Sequence, residues 1–530
     1  MLTTDNLKIK FLGVLPILKK KIGFFSPQEI VAFSALLTFK GKSVQKLIKE
    51  SLKKGEKIEE KIKKILRKSS LRGHASLSTT PVVCFLYEGS KFLDSLLTGM
   101  YFGSFLVSSG RRTSTTPRDI VYPQKVIKNK KALEIYRLSS KKTINFYQFL
   151  CNKGVGKDVA SKILQYGIYG TGIIQLPLES LIGLRREYQI ENEWMPEETK
   201  LLIQKVESYF KKYKADLLYT TRFIAPRNTY FYPNIFKNPA NSNLVREIDY
   251  DRKKGFKIVS ADIYFTEKFK KETLSLKRKI QKVAEDKNKI KKEWYNLLLL
   301  RRRIIRDYNS NFNIKVISSV PWRVWGEKKR HRTCPQVVES VYYCVQRTAK
   351  LFKAFKKQIN KGNLDNKIIQ EIEKFFSIPA LIKSNKDFLQ KYLEVALFAF
   401  ESYGDLLGEG IKPRDAIFLI PRAIKIDIIQ EYNLYNLLAG YYPLRLCQTA
   451  EEEMKKNTLK EVRAIKNLLS QKGYKWLADF ISPKCHTVGF CPEEKFCGQI
   501  FELVKNYNQQ FHQEMKKDLE KKFQKFKSIY

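Results

Sequence analysis

The sequence predicts an α+β protein that contains two divergent copies of one domain. The first observation is a repeat of residue character at a fixed spacing of 256 positions. The other two are strand-like runs at residues 256–264 and 313–318, and long charged segments with helical spacing. The repeated positions are Gly154-Val155, Ala160, Leu164, Ile174, Leu181 and Glu197, which recur as Gly410-Ile411, Ala416, Ile420, Gln430, Leu437 and Glu453.

The repeat divides the chain into three predicted regions. One copy is expected at residues 1–240 and the other at residues 250–480. The join falls near residues 238–252, where the stretch NPANSN precedes a charged run. Residues 481–530 form a cysteine-containing tail with a terminal helix.

Within the first copy, residues 1 to about 70 are predicted to be helical. Ser26-Pro27-Gln28-Glu29 is typical of a helix start, because serine caps the first turn and proline fits its first position. The segment from Val44 to Leu66 is predicted to be one amphipathic helix, and the apolar segment from Phe92 to Ser109 a buried helix.

The second copy is expected to begin with the strand at residues 256–264. A long charged helix follows from about Thr266 to Asp307, and the strand at residues 313–318 comes after it. Further helices are expected at residues 340–361 and 366–401.

The composition is strongly basic, with 100 Lys and Arg against 53 Asp and Glu and a formal net charge of +47. Such a charge attracts nucleic acid or anionic cofactors, although lysine-rich helix faces that are merely solvated account for it equally well. The sequence shows no signal peptide and no convincing membrane span, so we expect a cytoplasmic protein. Eight cysteines in 530 residues are too few for a disulfide scaffold.

The most distinctive basic segment is Arg330-His331-Arg332 in the second half. An imidazole with one guanidinium on each side suits an anionic, planar ligand such as a phosphate, a pyrimidine edge or a flavin. Ser340 and Tyr343 follow closely enough to contact the same ligand. The alternative is an ordinary basic loop.

The first half offers two candidate ligand segments. His74 stands beside a glycine and just before Ser76, so its imidazole could touch a cofactor or could be structural. Arg111, Arg112 and Arg118 alternate with hydroxyl residues including Ser114, which makes this segment a candidate anion cradle or a plain polar loop.

The tail contains a possible structural zinc site. Cys447, Cys485, Cys491 and Cys497 supply four thiols, and His486 is an alternate ligand. Buried free thiols, a disulfide or an iron–sulfur role remain as alternatives.

These motifs together resemble the flavin-dependent thymidylate synthase family. The matching residues, which cover most of the chain, are Gly73, His74, Ser76, Arg330, His331, Arg332, Ser340, Tyr343, Pro421, Asn433, Leu437, Arg445, Ala450 and Glu453. The resemblance implies that each copy has a mostly antiparallel sheet flanked by long helices. In this sequence Pro335, Val338, Tyr342 and Tyr435 stand where the family usually has other residues.

The resemblance also implies the chemistry, which is reductive methylation of dUMP to dTMP with FAD, methylenetetrahydrofolate and NADPH. Arg332 and Arg445 would be catalytic by polarising the pyrimidine, and His74, Ser76, Arg330, His331 and Asn433 would bind the flavin. The substrate would be held by Arg111, Arg112, Ser114, Arg118, Ser340 and Tyr343. A homodimer with four copies is expected, because the family builds each site at subunit interfaces.

Each copy keeps motifs that the other lacks. We therefore expect His74 and the Arg111 segment of one copy to complete a site with the Arg330 segment of the other. The alternative function is a catalytically diverged protein that binds nucleotides or nucleic acid through its basic surface.

Overall fold

The computed structural model describes residues 1–19, 24–55, 57–110, 113–225, 233–283, 289–494, 496–503 and 507–527. The chain divides into two compact units, each formed from separate segments of the sequence. Unit 1 consists of Met1–Arg246, Pro321–Arg332 and Val338–Ile426, and unit 2 of Glu247–Val320, Thr333–Val337 and Asp427–Tyr530.

The strands are short and are separated by long helical regions. They are β1 (Leu2–Thr3), β2 (Lys8–Leu15), β3 (Leu18–Lys19), β4 (Phe24–Phe25), β5 (Val82–Ser90), β6 (Ser104–Val107), β7 (Val121–Tyr122), β8 (Tyr169–Pro177), β9 (Phe256–Ile263), β10 (Phe312–Pro321), β11 (Gln336–Val338) and β12 (Lys425–Tyr432).

The helices of the first half precede β9. They are α1 (Pro27–Ser34), α2 (Leu37–Lys40), α3 (Val44–Lys53), α4 (Ile58–Leu71), α5 (Ser76–Thr79), α6 (Lys91–Leu97), α7 (Gln124–Ile127), α8 (Lys130–Asn152), α9 (Lys157–Ala160), α10 (Leu178–Ile190), α11 (Glu197–Glu207), α12 (Asp216–Ile224) and α13 (Asn243–Glu247).

The helices of the second half follow β9. They are α14 (Glu267–Val283), α15 (Ile290–Tyr308), α16 (Trp322–Lys328), α17 (Val341–Ala354), α18 (Lys356–Lys361), α19 (Asn366–Glu373), α20 (Ala380–Lys383), α21 (Lys386–Gly408), α22 (Pro413–Ala416), α23 (Tyr442–Arg445), α24 (Glu452–Gln471), α25 (Lys475–Ala478), α26 (Lys484–Val488), α27 (Gln499–Leu503) and α28 (Gln509–Lys527).

Unit 1 contains a four-stranded sheet in the order β2-β5-β8-β6, and its neighbouring strands are antiparallel. Alternate residues of β5, such as Val83, Phe85 and Tyr87, are buried on one face, as expected for a strand with one core-facing side. Phe105 of β6 pairs with Ile174 of β8, which in turn pairs with Phe85, so all three lie in one row across the sheet. This row places Phe105 on the same face of the sheet as Phe85 and Ile174.

Helices α8 and α21 pack against each other as an antiparallel pair in unit 1. Both are 23 residues long, start 256 positions apart, and begin after an asparagine whose side chain accepts a hydrogen bond from the third helical residue's N–H. Gly154 and Gly410 follow the two helices with φ of 82° and 76°, a conformation in which glycine ends a helix without strain. The starts of α9 and α22, and of β8 and β12, are also 256 positions apart.

The segments that follow these two helices exchange backbone hydrogen bonds within unit 1. Gly167 donates to the carbonyl of Phe418 at 3.1 Å, and Arg422 donates to the carbonyl of Leu164 at 3.0 Å. A Cβ at position 167 would lie 2.7 Å from the Phe418 carbonyl oxygen, so only glycine allows this approach.

The second sheet has the order β11-β12-β10-β9, and most of its residues belong to unit 2. Strands β9 and β10 are antiparallel with an irregularity between Lys315 and Val316. Its apolar side chains, including Ile314 and Val316, join a core with Phe265 from the loop after β9 and with Phe269 and Ile304 from the flanking helices.

The structure confirms the prediction of mixed helix and antiparallel sheet, and several element boundaries need correction. The prediction that residues 1–70 are helical is wrong at Lys8–Leu15, whose alternating pattern forms β2. The segment from Phe92 to Ser109 is not one helix, because α6 ends at Leu97 and β6 follows. The two long charged helices, predicted at residues 44–66 and 266–307, are each two helices.

The Ser26 cap is confirmed, since its side chain and that of Glu29 form a reciprocal capping box. The strands at residues 256–264 and 313–318 are confirmed as β9 and β10. Within the described residues, no helix is both long enough and apolar enough to cross a bilayer.

We expect Asn385→Ala to destabilise unit 1 by about 1 kcal/mol, because the substitution leaves the first turn of α21 without its side-chain acceptor. The midpoint of urea unfolding of the full chain measures this change. Asn385→Asp keeps an acceptor and should retain most of the stability. Equal losses for both substitutions would contradict the assigned cap.

Candidate functional site

The candidate site is built in unit 1 around the segment that follows helix α16. Lys329 is only 3% exposed, and its Nζ donates to the carbonyls of Asp94 at 3.1 Å and Ser95 at 2.5 Å. The same ammonium lies 4.5 Å from the ring centroid of Trp325. Burial and the neighbouring Arg330 charge lower the pKa of Lys329 well below its usual range. Lys329 therefore ties this segment to helix α6.

Arg330 and Arg332 both face the aromatic ring of Phe105. Their guanidinium carbons lie 5.8 Å and 4.4 Å from its centroid, so both positive charges make cation–π contacts with one ring. Burial and Arg330 lower the pKa of Arg332. Nε of Arg332 is buried and has no hydrogen-bond partner among the described residues. The arrangement suits an anionic ligand that would satisfy this donor.

Lys91, a further cation of the site, lies at the start of α6. Its Nζ donates to Asp94 Oδ2 at 3.0 Å and to the Ser108 carbonyl and hydroxyl at 2.6 and 2.5 Å. The hydroxyl of Tyr87 also donates to Asp94. Burial lowers the pKa of Lys91 and outweighs the opposing effect of Asp94.

Arg422 adds another cation from the segment before β12. Its side chain is 2% exposed, its Nε donates to the Gln165 carbonyl at 3.1 Å, and its guanidinium lies 5.0 Å from the ring centroid of Tyr166. Burial lowers the pKa of Arg422 to about 10, so the guanidinium stays charged at neutral pH. The charges of Arg422 and Arg330 both act on Lys91.

Glu198 is a buried carboxyl that contacts Ser90, at the junction of strand β5 and helix α6. It is 1% exposed, and it accepts hydrogen bonds from the N–H of Ser90 at 2.9 Å and from the Ser90 hydroxyl. Burial raises the pKa of Glu198 to about 7, and the nearby Asp94 charge adds to this effect.

Two predicted substrate-binding residues have structural contacts in unit 1. Ser340 is fully buried at the start of α17, and its hydroxyl donates to the Lys237 carbonyl at 2.6 Å. Tyr343 packs against the guanidiniums of Arg246 and Arg347, which lie 4.4 Å and 5.6 Å from its centroid. Substrate binding by either residue stays a prediction.

The predicted residues of the first half are exposed where the structure describes them. The N–H of His74 donates to the Ser69 carbonyl at 3.2 Å after helix α4, and Ser76 begins the short helix α5. Ser114 and Arg118 are exposed, and Arg111 and Arg112 lie outside the described residues. A joint site of His74 with the Arg330 segment therefore stays a prediction.

Asn433 and Arg445 belong to unit 2. The Asn433 side chain accepts a hydrogen bond from the N–H of Asn436 at 3.0 Å, and Asn436 is linked to Thr333 by two further hydrogen bonds of 2.7 and 2.9 Å. Arg445 ends helix α23 and is half-buried. Their roles toward a flavin or a pyrimidine stay predictions.

The structure does not support zinc in the cysteine tail. Cys447, Cys485, Cys491 and Cys497 are free thiols, and no group of three or more metal-binding side chains occurs among the described residues. Burial and the neighbouring Cys491 raise the pKa of Cys485 to about 11. Burial and Arg301 lower the pKa of His486 to about 3, and its Nδ1 already contacts Arg301 at 3.1 Å.

Sequence reasoning missed Lys91, Asp94, Phe105 and Arg422. The first three lie in or beside the segment that was predicted to be one buried helix, where a charged residue looked like an interruption. Gly99 and Gly103 in that segment are the available signal for a break between α6 and β6. Arg422 follows Pro421 of the resemblance, but only the fold shows that it is buried.

Comparison with known proteins finds sequence similarity in the second half of the chain. Residues 261–469 match the family described as thymidylate synthase complementing protein. Flavin-dependent thymidylate synthase from Pyrococcus abyssi is 29% identical over 127 residues, which is 24% of this chain and 51% of that protein. The enzyme of the same name from Pyrococcus furiosus is 30% identical over 125 residues, which is 23% of this chain and 50% of that protein.

The chain thus spans about half the length of the curated relatives it matches. A solved UMP/dUMP methylase, PolB from Streptomyces cacaoi, aligns at 11% identity with a TM-score of 0.31 and covers 42% of this chain and 98% of that one. The sequence matches confirm the resemblance to the flavin-dependent thymidylate synthase family.

We predict that Glu198→Gln flattens the dependence of stability on pH. The folded carboxyl has a pKa of about 7 against an ordinary value of 4.5, so its contribution is complete below about pH 4.5 and is lost as the pH rises through 7. The wild-type chain should lose at most about 3 kcal/mol relative to the variant across this range. Urea unfolding midpoints at several pH values measure it.

Glu60→Gln, which removes an exposed carboxylate of helix α4, provides the matched control and should follow the wild-type profile. A wild-type chain that becomes more stable relative to Glu198→Gln as the pH rises would show that the buried carboxyl is ionised when folded.

Proposed function

We propose that the protein carries out flavin-dependent reductive methylation of dUMP to dTMP, with methylenetetrahydrofolate as the one-carbon donor and NADPH as the reductant. The family match at residues 261–469 supports the reaction class. The observation that carries the proposal is the pair of guanidiniums of Arg330 and Arg332 against Phe105. These residues combine an anion-binding group with an aromatic surface, as a nucleotide-type ligand requires.

The residues present fit the flavin that the family implies. Arg332 offers a buried Nε with no partner among the described residues, which a phosphate or ring carbonyl of FAD would satisfy. Bound FAD supplies the hydride of the reaction. Arg330, His331 and Arg332 would hold its anionic and polar groups, and Phe105 would keep water from one side of them.

The pyrimidine substrate needs a cation and a dry environment. Arg332 is half-buried, so its charge acts on a ligand carbonyl more strongly than it would in bulk water. Arg445 is the second proposed cation, and Asn433 the second proposed flavin ligand. No side-chain nucleophile is assigned.

We further propose that the two halves are divergent copies of one domain. The equal spacing of α8 and α21, of their asparagine caps and of the glycines that end them supports this. Ile120 bridges to Ile168, and Phe376 bridges to Ile424, so both partners of each bridge recur 256 positions apart. A repeat of contacts as well as of residue types is what duplication of a folded unit produces.

We expect Arg332→Ala to reduce flavin retention or dUMP affinity about tenfold to 100-fold, because a charge-assisted hydrogen bond contributes about 1.5–3 kcal/mol. Flavin absorbance per chain after gel filtration and tritium release from C5-labelled dUMP are the measurements. Arg306→Gln removes a guanidinium that is 75% exposed, and it should leave both values unchanged.

A colourless wild-type protein that releases no tritium and binds oligonucleotides with a steep salt dependence would contradict the enzyme and favour the nucleic-acid-binding alternative. The +47 net charge is the observation that makes this outcome worth testing.

A further inference from the structure

Arg422 is a buried cation with an unsatisfied donor. The residue is only 2% exposed. Its Nη2 is buried and has no hydrogen-bond partner among the residues that the structure describes. An unpaired donor of a charged group is among the costliest features of a protein interior. A ligand that accepts from Nη2 would remove this cost.

Other buried arginines of unit 1 are paired with carboxylates. Arg222 donates to Glu179 at 2.6 and 2.9 Å, Arg347 forms an ion pair with Glu339 at 2.5 Å, and Arg323 lies 3.3 Å from Glu327. In each of these pairs a carboxylate offsets the charge of the buried guanidinium. Arg422 differs, because its hydrogen bond is to the Gln165 carbonyl.

The charge around Arg422 is unbalanced. Lys91, Arg330 and Arg422 interact as like charges, and Asp94 is the carboxylate that acts on both Lys91 and Arg422. Asp94 is already bonded to Lys91 and to the Tyr87 hydroxyl. Lys91 and Arg422 thus depend on one carboxylate that is already hydrogen-bonded, which leaves positive charge for an external anion.

The backbone beside Arg422 comes unusually close to it. A Cβ at Gly110 would lie 3.1 Å from Nη1 of Arg422, so a side chain at this position would crowd the guanidinium. Lys91 reaches the same segment through the Ser108 carbonyl and hydroxyl. The two cations thus meet at Ser108–Gly110 from different elements.

We propose that Arg422 and Lys91 form a binding site for a phosphate group beside the segment Ser108–Gly110. A guanidinium presents two parallel donors to phosphate oxygens, and the ammonium adds a point charge. Neither residue was assigned a role by the family motif, which supplies Arg330–Arg332. The identity of the phosphate carrier as a nucleotide rests on the proposed function, whereas binding of the phosphate group itself does not.

Inorganic phosphate tests the site directly. Isothermal titration of the full chain should show phosphate binding that Arg422→Gln weakens at least tenfold and that Arg422→Lys weakens less, because lysine keeps the charge and loses the fork. Asp94→Asn should tighten phosphate binding, since it removes the competing carboxylate. Unfolding midpoints confirm that each variant is folded.

The carrier is identified by comparing phosphorylated and unphosphorylated ligands. If the site takes the substrate phosphate, Arg422→Gln should abolish the preference of the wild-type chain for dUMP over deoxyuridine. If it takes the flavin phosphates, the variant should instead abolish the preference for FAD over riboflavin. Either result supports the site.

Unchanged phosphate affinity in folded Arg422→Gln would overturn the proposal, as would weaker binding in Asp94→Asn. Arg306→Gln is the control for loss of a positive charge elsewhere and should leave phosphate affinity unchanged. Phosphate binding without flavin or tritium release would retain this site and reject the methylation reaction.

Discussion

The antiparallel packing of α8 against α21 is the constraint on which the rest of unit 1 depends. Lys142 lies 4.1 Å from the ring centroid of Phe398, and Phe149 meets Phe388 edge-on at 6.0 Å, so the two helices contact along their length. Because each helix ends in a glycine turn, the chain can turn back against the helix pair. The backbone bonds Gly167 to Phe418 and Arg422 to Leu164 then fix the two returning segments side by side.

This pairing explains why charged residues from distant parts of the sequence meet. Once Arg422 is bonded to Leu164, its side chain must lie near Gln165 and Tyr166, which precede strand β8. Strand β8 pairs with both β5 and β6. Lys91 directly follows β5, and Phe105 lies within β6. Lys329 adds a further link by donating to the carbonyls of α6. The cationic cluster is therefore a consequence of sheet order and helix packing.

The sequence allowed prediction of features that depend on local patterns. The Ser26 cap and strands β9 and β10 each leave a signal within a short window. Ser340 shows the limit of such patterns, because a serine in a family motif looks like a ligand residue while its hydroxyl here bonds to Lys237. Arg422 gave no signal, since its burial arises from residues more than 250 positions earlier in the chain.

The residues at positions 166 and 422 bear on the proposed duplication. They lie 256 positions apart at corresponding places after α8 and α21, yet one is tyrosine and the other arginine, and the two side chains contact each other. In a symmetric pair of identical chains both positions would carry the same residue, and two arginines would repel each other. In one chain the tyrosine supplies a π face and the arginine a charge. The covalent connection of the halves therefore permits an asymmetric cationic site next to the contact between the two returning segments.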